Sequence, residues 1–249
     1  MINGLEAEIF GQSLDKARRL IFYLHGGAFV SGSSLTHRHL VLRLAKEAVA
    51  SALVINYRLA PEFPFPAPLE DCFRAYRWLL EKEYQSARLA IAGDSAGGNL
   101  AVALTQKLIK EGYPLPACLI LFSPWVDLSC SSPSYEERSR RDPMISRPLA
   151  LERAKWYAGS KTLNNPEISP LFGDFTNFPP LLIFIGSEEV LYDEALALAQ
   201  KAIAAGVEVQ LLEWRGMFHV WPYFFPFLPE GREACRLAGD FLRLYLSKN

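Results

Sequence analysis

Gly93-Asp94-Ser95-Ala96-Gly97 carries more architectural information than any other stretch of this chain. An apolar run, Arg88-Leu89-Ala90-Ile91-Ala92, precedes it with the character of a buried strand, and a helix-period segment over residues 96–109 follows it. A Gly-x-Ser-x-Gly turn between strand and helix holds the serine on a sharp bend, with its hydroxyl lifted clear of the sheet. A side chain at Gly93 or Gly97 is expected to collide with so tight a turn. The helix that follows aims its first amides at any oxyanion forming beside Ser95.

The same alternation repeats on both sides of the turn. Residues 20–24, 52–57, 117–122, 181–185 and 207–212 read as strands. Residues 39–50, 69–84, 191–205 and 230–246 carry helical spacing. Strands and helices joined by short links predict an α/β fold, a mostly parallel doubly wound sheet covered on both faces. Residues 6–10 are expected to add an antiparallel edge strand. One segment breaks the rhythm: residues 127–178 hold no strand pattern, several prolines and a charged run from Glu136 to Asp142. A loop that long inside a compact domain is expected to be a lid or cap insertion, here over about 128–178, with one helix near 150–158.

The bulk numbers set limits. With 249 residues, half of them hydrophobic, the chain suits one large domain, residues 1–249, with a substantial core. Its net charge is −1, and no basic run supports a nucleic-acid partner. Four scattered cysteines without a C-x-x-C pair favour reduced thiols over disulfides or zinc, so no metal site is expected. The N-terminus lacks a signal pattern, and no segment is long and apolar enough for a bilayer; residues 218–228 come nearest, interrupted by Pro222 and Pro226. A cytoplasmic protein without stable membrane insertion is the expectation.

A serine is a poor nucleophile at neutral pH unless a base lies within hydrogen-bond reach and an acid orients that base. In a doubly wound sheet these groups come from loops at the carboxyl ends of strands. Of four histidines, only His219 lies in a loop after the last strand, so it is the expected base. Packing against Trp214 or Trp221 is its structural alternative. The segment Gly186-Ser187-Glu188-Glu189-Val190-Leu191-Tyr192-Asp193 offers three carboxylates after the preceding strand. Glu189 is the expected acid, with Asp193 placed to favour the first helical turn and Glu188 left to solvent. The order serine, acid, histidine is that of α/β-hydrolases. The glycines of His25-Gly26-Gly27-Ala28-Phe29 let backbone approach a substrate closely. The amides of Gly26, Gly27 and Ala96 are expected to form an oxyanion hole.

His25-Gly26-Gly27-Ala28-Phe29, Tyr57-Arg58-Leu59-Ala60-Pro61-Glu62, Gly93-Asp94-Ser95-Ala96-Gly97-Gly98-Asn99-Leu100-Ala101 and Met217-Phe218-His219-Val220-Trp221 together resemble the hormone-sensitive-lipase-like family of α/β-hydrolase esterases. The likeness runs from about Leu20 to the C-terminus. It implies hydrolysis of short- or medium-chain carboxylic esters without a cofactor, and it allows a homodimer paired through a sheet edge. The family's acid usually lies in an Asp-Pro-Leu triplet, here matched by Glu189-Val190-Leu191, which supports Glu189. The family's third glycine is Ala28, which is tolerable if the donors are the first two amides. The first motif starts at residue 25, where members generally carry a longer N-terminal region, so a reduced helical cap and a more open pocket are expected.

Phe29 and Trp221 are expected to border bound substrate, although core packing competes for Trp221 and for Tyr223, Phe224, Phe225 and Phe227. Arg58, Glu62 and Asp71 are read as holding their loop, Asp94 as bonding nearby backbone, and Asp127 as a remote second choice for the acid. Two other functions remain open on sequence: amide or formamide hydrolysis by the same residues, and a non-catalytic small-molecule receptor on the same fold.

Overall fold

The computed structural model describes residues 1–2 and 4–246. Among them, β1 (Ala7–Phe10), β2 (Leu20–Leu24), β3 (Ser51–Ile55), β4 (Leu89–Asp94), β5 (Cys118–Phe122), β6 (Leu181–Gly186) and β7 (Val209–Trp214) form one sheet in the order β1-β3-β2-β4-β5-β6-β7. All pairings are parallel except β1 with β3, where Ala7 lies opposite Ile55 and Phe10 opposite Ala52. Strands β2 to β6 are buried along their whole length. That is why they read as continuous apolar runs rather than alternating ones.

Alternate residues feed two cores. Leu20, Phe22, Ile91, Leu119 and Ile183 face α2 (Ala67–Glu81), α3 (Ala96–Lys110) and α6 (Tyr192–Ala204). Ile21, Tyr23, Ala92, Ile120 and Phe184 face α1 (Ser34–Ala48) and α7 (Pro229–Tyr245). Each fully buried Leu, Ile or Phe contributes about 1.5–3 kcal/mol of transfer free energy. The long connection from β5 to β6 holds α4 (Ser134–Glu137) and α5 (Arg147–Ala158) and no strand. All four cysteines are buried and free. Among the described residues no helix is long and apolar enough to cross a membrane.

Several boundaries differ from the sequence reading by a few residues, among them those of α1 and β7. Helix α1 begins at Ser34 rather than at residue 39, because Ser33 and Thr36 close a capping box: Thr36 N–H donates to Ser33 Oγ at 3.3 Å and Ser33 N–H to Thr36 Oγ1 at 2.9 Å. Thr36 stands where the usual signature carries Glu or Gln, so the start signal is concealed. Strand β7 runs from Val209 to Trp214, with Val207 and Glu208 in the link before it.

The topology positions the site. The chain leaves β2 toward β3 on one side and, after β4, turns toward β5 on the other. Loops leaving the carboxyl ends of β2 and β4 therefore face each other across a crevice. The turn after β4 is as tight as its sequence implies: Ser95 has φ +52° and ψ −119°, and its amide donates to the Phe122 carbonyl at 2.9 Å. A methyl group at Gly97 would sit 2.0 Å from the Leu24 carbonyl oxygen and 2.6 Å from that of His25, so the helix can approach β2 only without one. Gly97→Ala is expected to cost at least about 3 kcal/mol and to lower Tm by roughly 6 °C or more. A thermal melt indistinguishable from wild type would contradict this packing.

Candidate active site

A cleft of about 860 Å³ opens at the carboxyl ends of the strands, and Ser95, His219, Gly27 and Ala28 share its wall. Ser95 comes from the turn between β4 and α3, and His219 from the loop after β7. His219 Nδ1 lies 2.9 Å from Glu189 Oε2, with Glu189 fully buried and His219 nearly so. A carboxylate oxygen accepts, so the imidazole proton sits on Nδ1 and Nε2 is left with a free lone pair.

Glu189 is fixed as firmly as the ring it holds. Its Oε1 accepts from Gly186 N–H at 2.6 Å and from the Ser123 hydroxyl at 2.8 Å. Ser123 Oγ in turn accepts from Val220 N–H at 3.0 Å. This serine at the end of β5, with φ +47°, fastens the acid's loop to the histidine's loop. Sequence reasoning passed over it, because a serine after a strand carries no distinctive signal. Glu194 was also missed. It is fully buried and accepts from Val126 N–H at 2.6 Å and Asp127 N–H at 3.3 Å. Burial, reinforced by Asp127, pushes its carboxyl well above the usual carboxylate range.

The backbone donors need correction. Gly26, expected among the oxyanion donors, gives its N–H to Asp94 Oδ1 at 3.0 Å and has none to offer a substrate. Among the described residues the N–H groups of Gly27 and Ala28 have no hydrogen-bond partner. Both residues lie in the left-handed region, at φ +116° and +54°. Ala96 is the first residue of α3, so its N–H lacks an intrahelical acceptor. The amides of Gly27 and Ala28 on the cleft wall, with that of Ala96 next to Ser95, are thus the candidate donors for an oxyanion.

The two aromatic residues expected at the substrate are core residues. Phe29 is fully buried, stacked on Tyr157 at 3.7 Å between ring centroids and tilted against Trp125 at 5.8 Å. It anchors α5 to the loop after β2 rather than facing the cleft. Trp221 is fully buried against Trp214 and Phe184. The large apolar side chains of the cleft wall instead include Trp125, Tyr223 and Phe224, with Met144, Leu149 and Trp156 from the β5–β6 connection. Those last three remain 47%, 44% and 37% exposed.

The other candidates sort by partner. Asp127 is committed to Ser129 and Ser131, and Asp193 accepts from Ser134 N–H at 2.7 Å. Glu188 accepts from Ser187 Oγ and faces Arg141 at 3.5 Å. Arg58 grips buried Asp71 with both Nε and Nη2 at 2.8 Å, holding its loop as expected. Glu62 does not share that role. It is exposed on the cleft wall, without an ion-pair partner among the described residues. No cluster of metal-ligating side chains occurs among the described residues.

The fold, with a serine elbow after the central strand and an acid–histidine pair from the next loops, is that of an α/β-hydrolase. A family model described as the alpha/beta hydrolase fold matches residues 21–223. An acetyl-hydrolase of Streptomyces hygroscopicus is 47% identical over 225 residues, covering 90% of this chain and 75% of that protein. An ethyl acetate hydrolase of Pseudomonas putida is 31% identical over 232 residues, covering 91% of this chain and 73% of its own. Among solved structures, an esterase from the bacterial hormone-sensitive lipase family superposes with a TM-score of 0.95 at 42% identity, over 98% of this chain and 82% of that one. EstE5 soaked with p-nitrophenyl butyrate gives a TM-score of 0.95 at 41% identity, over 99% and 83%. The chain belongs to the α/β-hydrolase fold family, in its hormone-sensitive-lipase-like branch.

Proposed function

We propose that this protein is a serine carboxylesterase that hydrolyses short- to medium-chain carboxylic esters through an acyl-enzyme. The observation that carries the reading is the Glu189–His219 pair, 2.9 Å apart and buried, in a cleft that also presents Ser95 and the unpaired amides of Gly27 and Ala28. Ser95 attacks the ester carbonyl as His219 Nε2 takes its proton. The oxyanion rests on the amides of Gly27, Ala28 and Ala96, each typically worth about 2.7–4 kcal/mol of barrier. His219 returns the proton to the leaving alcohol, and a water then repeats the cycle on the acyl-enzyme. Glu189 holds the ring in the required tautomer and balances the imidazolium. Relatives named as esterases, acetyl-hydrolases and an ethyl acetate hydrolase support the substrate class. We assign the cap to the β5–β6 connection, whose Met144, Leu149 and Trp156 form the apolar wall that an acyl or alkyl group would meet.

A side-by-side assay of p-nitrophenyl butyrate and the matching anilide tests the class. The ester should turn over far faster, and an anilide hydrolysed as well as the ester would contradict the proposal. Chain length tests the cap. A closed apolar pocket gains about tenfold or more per methylene. Walls this exposed exclude less water, so kcat/KM should change by less than about tenfold in total from acetate to hexanoate. A steep continuous rise into long chains would contradict an open pocket.

A further inference from the structure

We propose that Asp94, held by His37 and Tyr23, is a positioning residue that sets the aim of the Gly27 and Ala28 amides. The proposal rests on the esterase reading of the same cleft and assigns a task to the residue immediately before the nucleophile.

One carboxylate gathers four parts of the fold. Asp94 Oδ1 accepts from the Tyr23 hydroxyl of β2 at 2.7 Å and from Gly26 N–H at 3.0 Å. Asp94 Oδ2 faces His37 Nε2 of α1 at 3.4 Å. The carboxylate belongs to the elbow that carries Ser95, and it is buried. Contact with the loop after β2 is close: a Cβ at Gly26 would lie 2.1 Å from Asp94 Oδ2 and 3.0 Å from the Asp94 carbonyl oxygen. Only glycine lets the backbone press onto the acid in this way. Gly26 N–H is thereby pinned to the nucleophile's own turn. The next two amides in the chain are the ones left without partners. A shift of the carboxylate would tilt the peptide planes that follow and misdirect both donors.

His37 completes the arrangement. Its Nδ1 lies 3.3 Å from the Ser33 carbonyl oxygen and 2.9 Å from Thr36 Oγ1, so the ring can donate from both nitrogens. Burial alone would push His37 down, but the Asp94 carboxylate and the Ser33 carbonyl together outweigh it and hold the imidazole above its ordinary value. Burial would raise Asp94, and His37, Tyr23 and, least, His25 outweigh that in turn, holding the carboxyl low. The groups facing His37 are Asp94, Tyr23 and His25 from the sheet side and Tyr223 from the turn after His219. His25 is pushed down to about 4 by burial. Asp94 itself lines the cleft, where an unbalanced negative charge would oppose a developing oxyanion. His37, when protonated, supplies the balance at 3.4 Å from Asp94 Oδ2.

The test compares wild type with Asp94→Ala, Asp94→Asn, His37→Gln and Ser95→Ala, using p-nitrophenyl butyrate and a butyl trifluoromethyl ketone. The ketone adds to the nucleophile and places a true oxyanion in the hole. Asp94→Ala should lower kcat about tenfold or more while KM stays within about threefold, and ketone affinity should fall by a similar factor. Asp94→Asn keeps an acceptor for Tyr23 and Gly26, so it should recover most of the loss. His37→Gln should fall between Asp94→Asn and Asp94→Ala. A purely structural Asp94 would lower Tm without moving ketone affinity relative to KM, and that result overturns the proposal. So does a kcat within about twofold of wild type in Asp94→Ala or, if that variant does not fold, in Asp94→Asn and His37→Gln alike, with ketone affinity unchanged. Full activity in Ser95→Ala would overturn the esterase reading as well; a dead Ser95→Ala beside unaffected Asp94 and His37 variants would overturn this inference alone.

Discussion

Glu189→Gln is expected to lower kcat for p-nitrophenyl butyrate by about 10⁴-fold while leaving the fold intact. Three donors converge on this carboxylate: Gly186 N–H and the Ser123 hydroxyl on Oε1, and His219 Nδ1 on Oε2. A glutamine has one acceptor oxygen. If that oxygen takes the Oε1 position, it keeps the first two donors and turns its NH2 toward His219. The ring must then present a bare Nδ1 and carry its proton on Nε2, where it can no longer take the proton of Ser95. The opposite orientation sets the NH2 against Gly186 N–H, which has nowhere to turn. The first arrangement is therefore favoured, because it keeps the Gly186 and Ser123 bonds, and it spoils the base while preserving volume. A kcat within about tenfold of wild type would show that His219 does not depend on Glu189 for its tautomer.

Ser95→Ala should cost as much or more, roughly 10⁴- to 10⁶-fold in kcat, with KM little changed. Removing the hydroxyl leaves the cleft and the Gly27, Ala28 and Ala96 amides in place, so substrate still binds and its carbonyl is still polarised. Without a nucleophile, water must attack directly. Only the residual rate from binding and oxyanion stabilisation, about 10³- to 10⁴-fold over water, should survive. Measuring the variant after rigorous removal of trace wild-type enzyme is the necessary check. Retention of more than about a tenth of wild-type turnover would leave no role for this elbow.

Most of the fold is legible in the sequence, because parallel strands buried on both faces leave long apolar runs and the helices between them keep clean periodicity. The antiparallel edge strand at Ala7–Phe10 is legible too. The start of α1 is concealed by a threonine doing the work of the usual glutamate in its capping box. In the site, the shared cleft of Ser95 and His219 and the pairing of His219 with Glu189 follow from residue type and chain order. The backbone donors do not. Whether Gly26 or Ala28 offers its N–H depends on loop dihedrals and on the placement of Asp94, a contact between residues 68 positions apart. Phe29 and Trp221 were misplaced for a related reason. An aromatic ring beside a catalytic motif can face either way, and the partner that claims Phe29, Tyr157, arrives from the distant β5–β6 connection. Ser123 is silent in sequence because its role consists entirely of two hydrogen bonds across the fold.

Covalent capture of the nucleophile puts the central claim at most direct risk. Wild-type protein would be treated with an alkyl fluorophosphonate, digested, and mapped by tandem mass spectrometry, with Ser95→Ala in parallel. The account predicts one adduct per chain, on Ser95, with turnover lost in step with labelling and no adduct on the variant. Labelling at another residue, or an active enzyme that carries no adduct on Ser95, would contradict it.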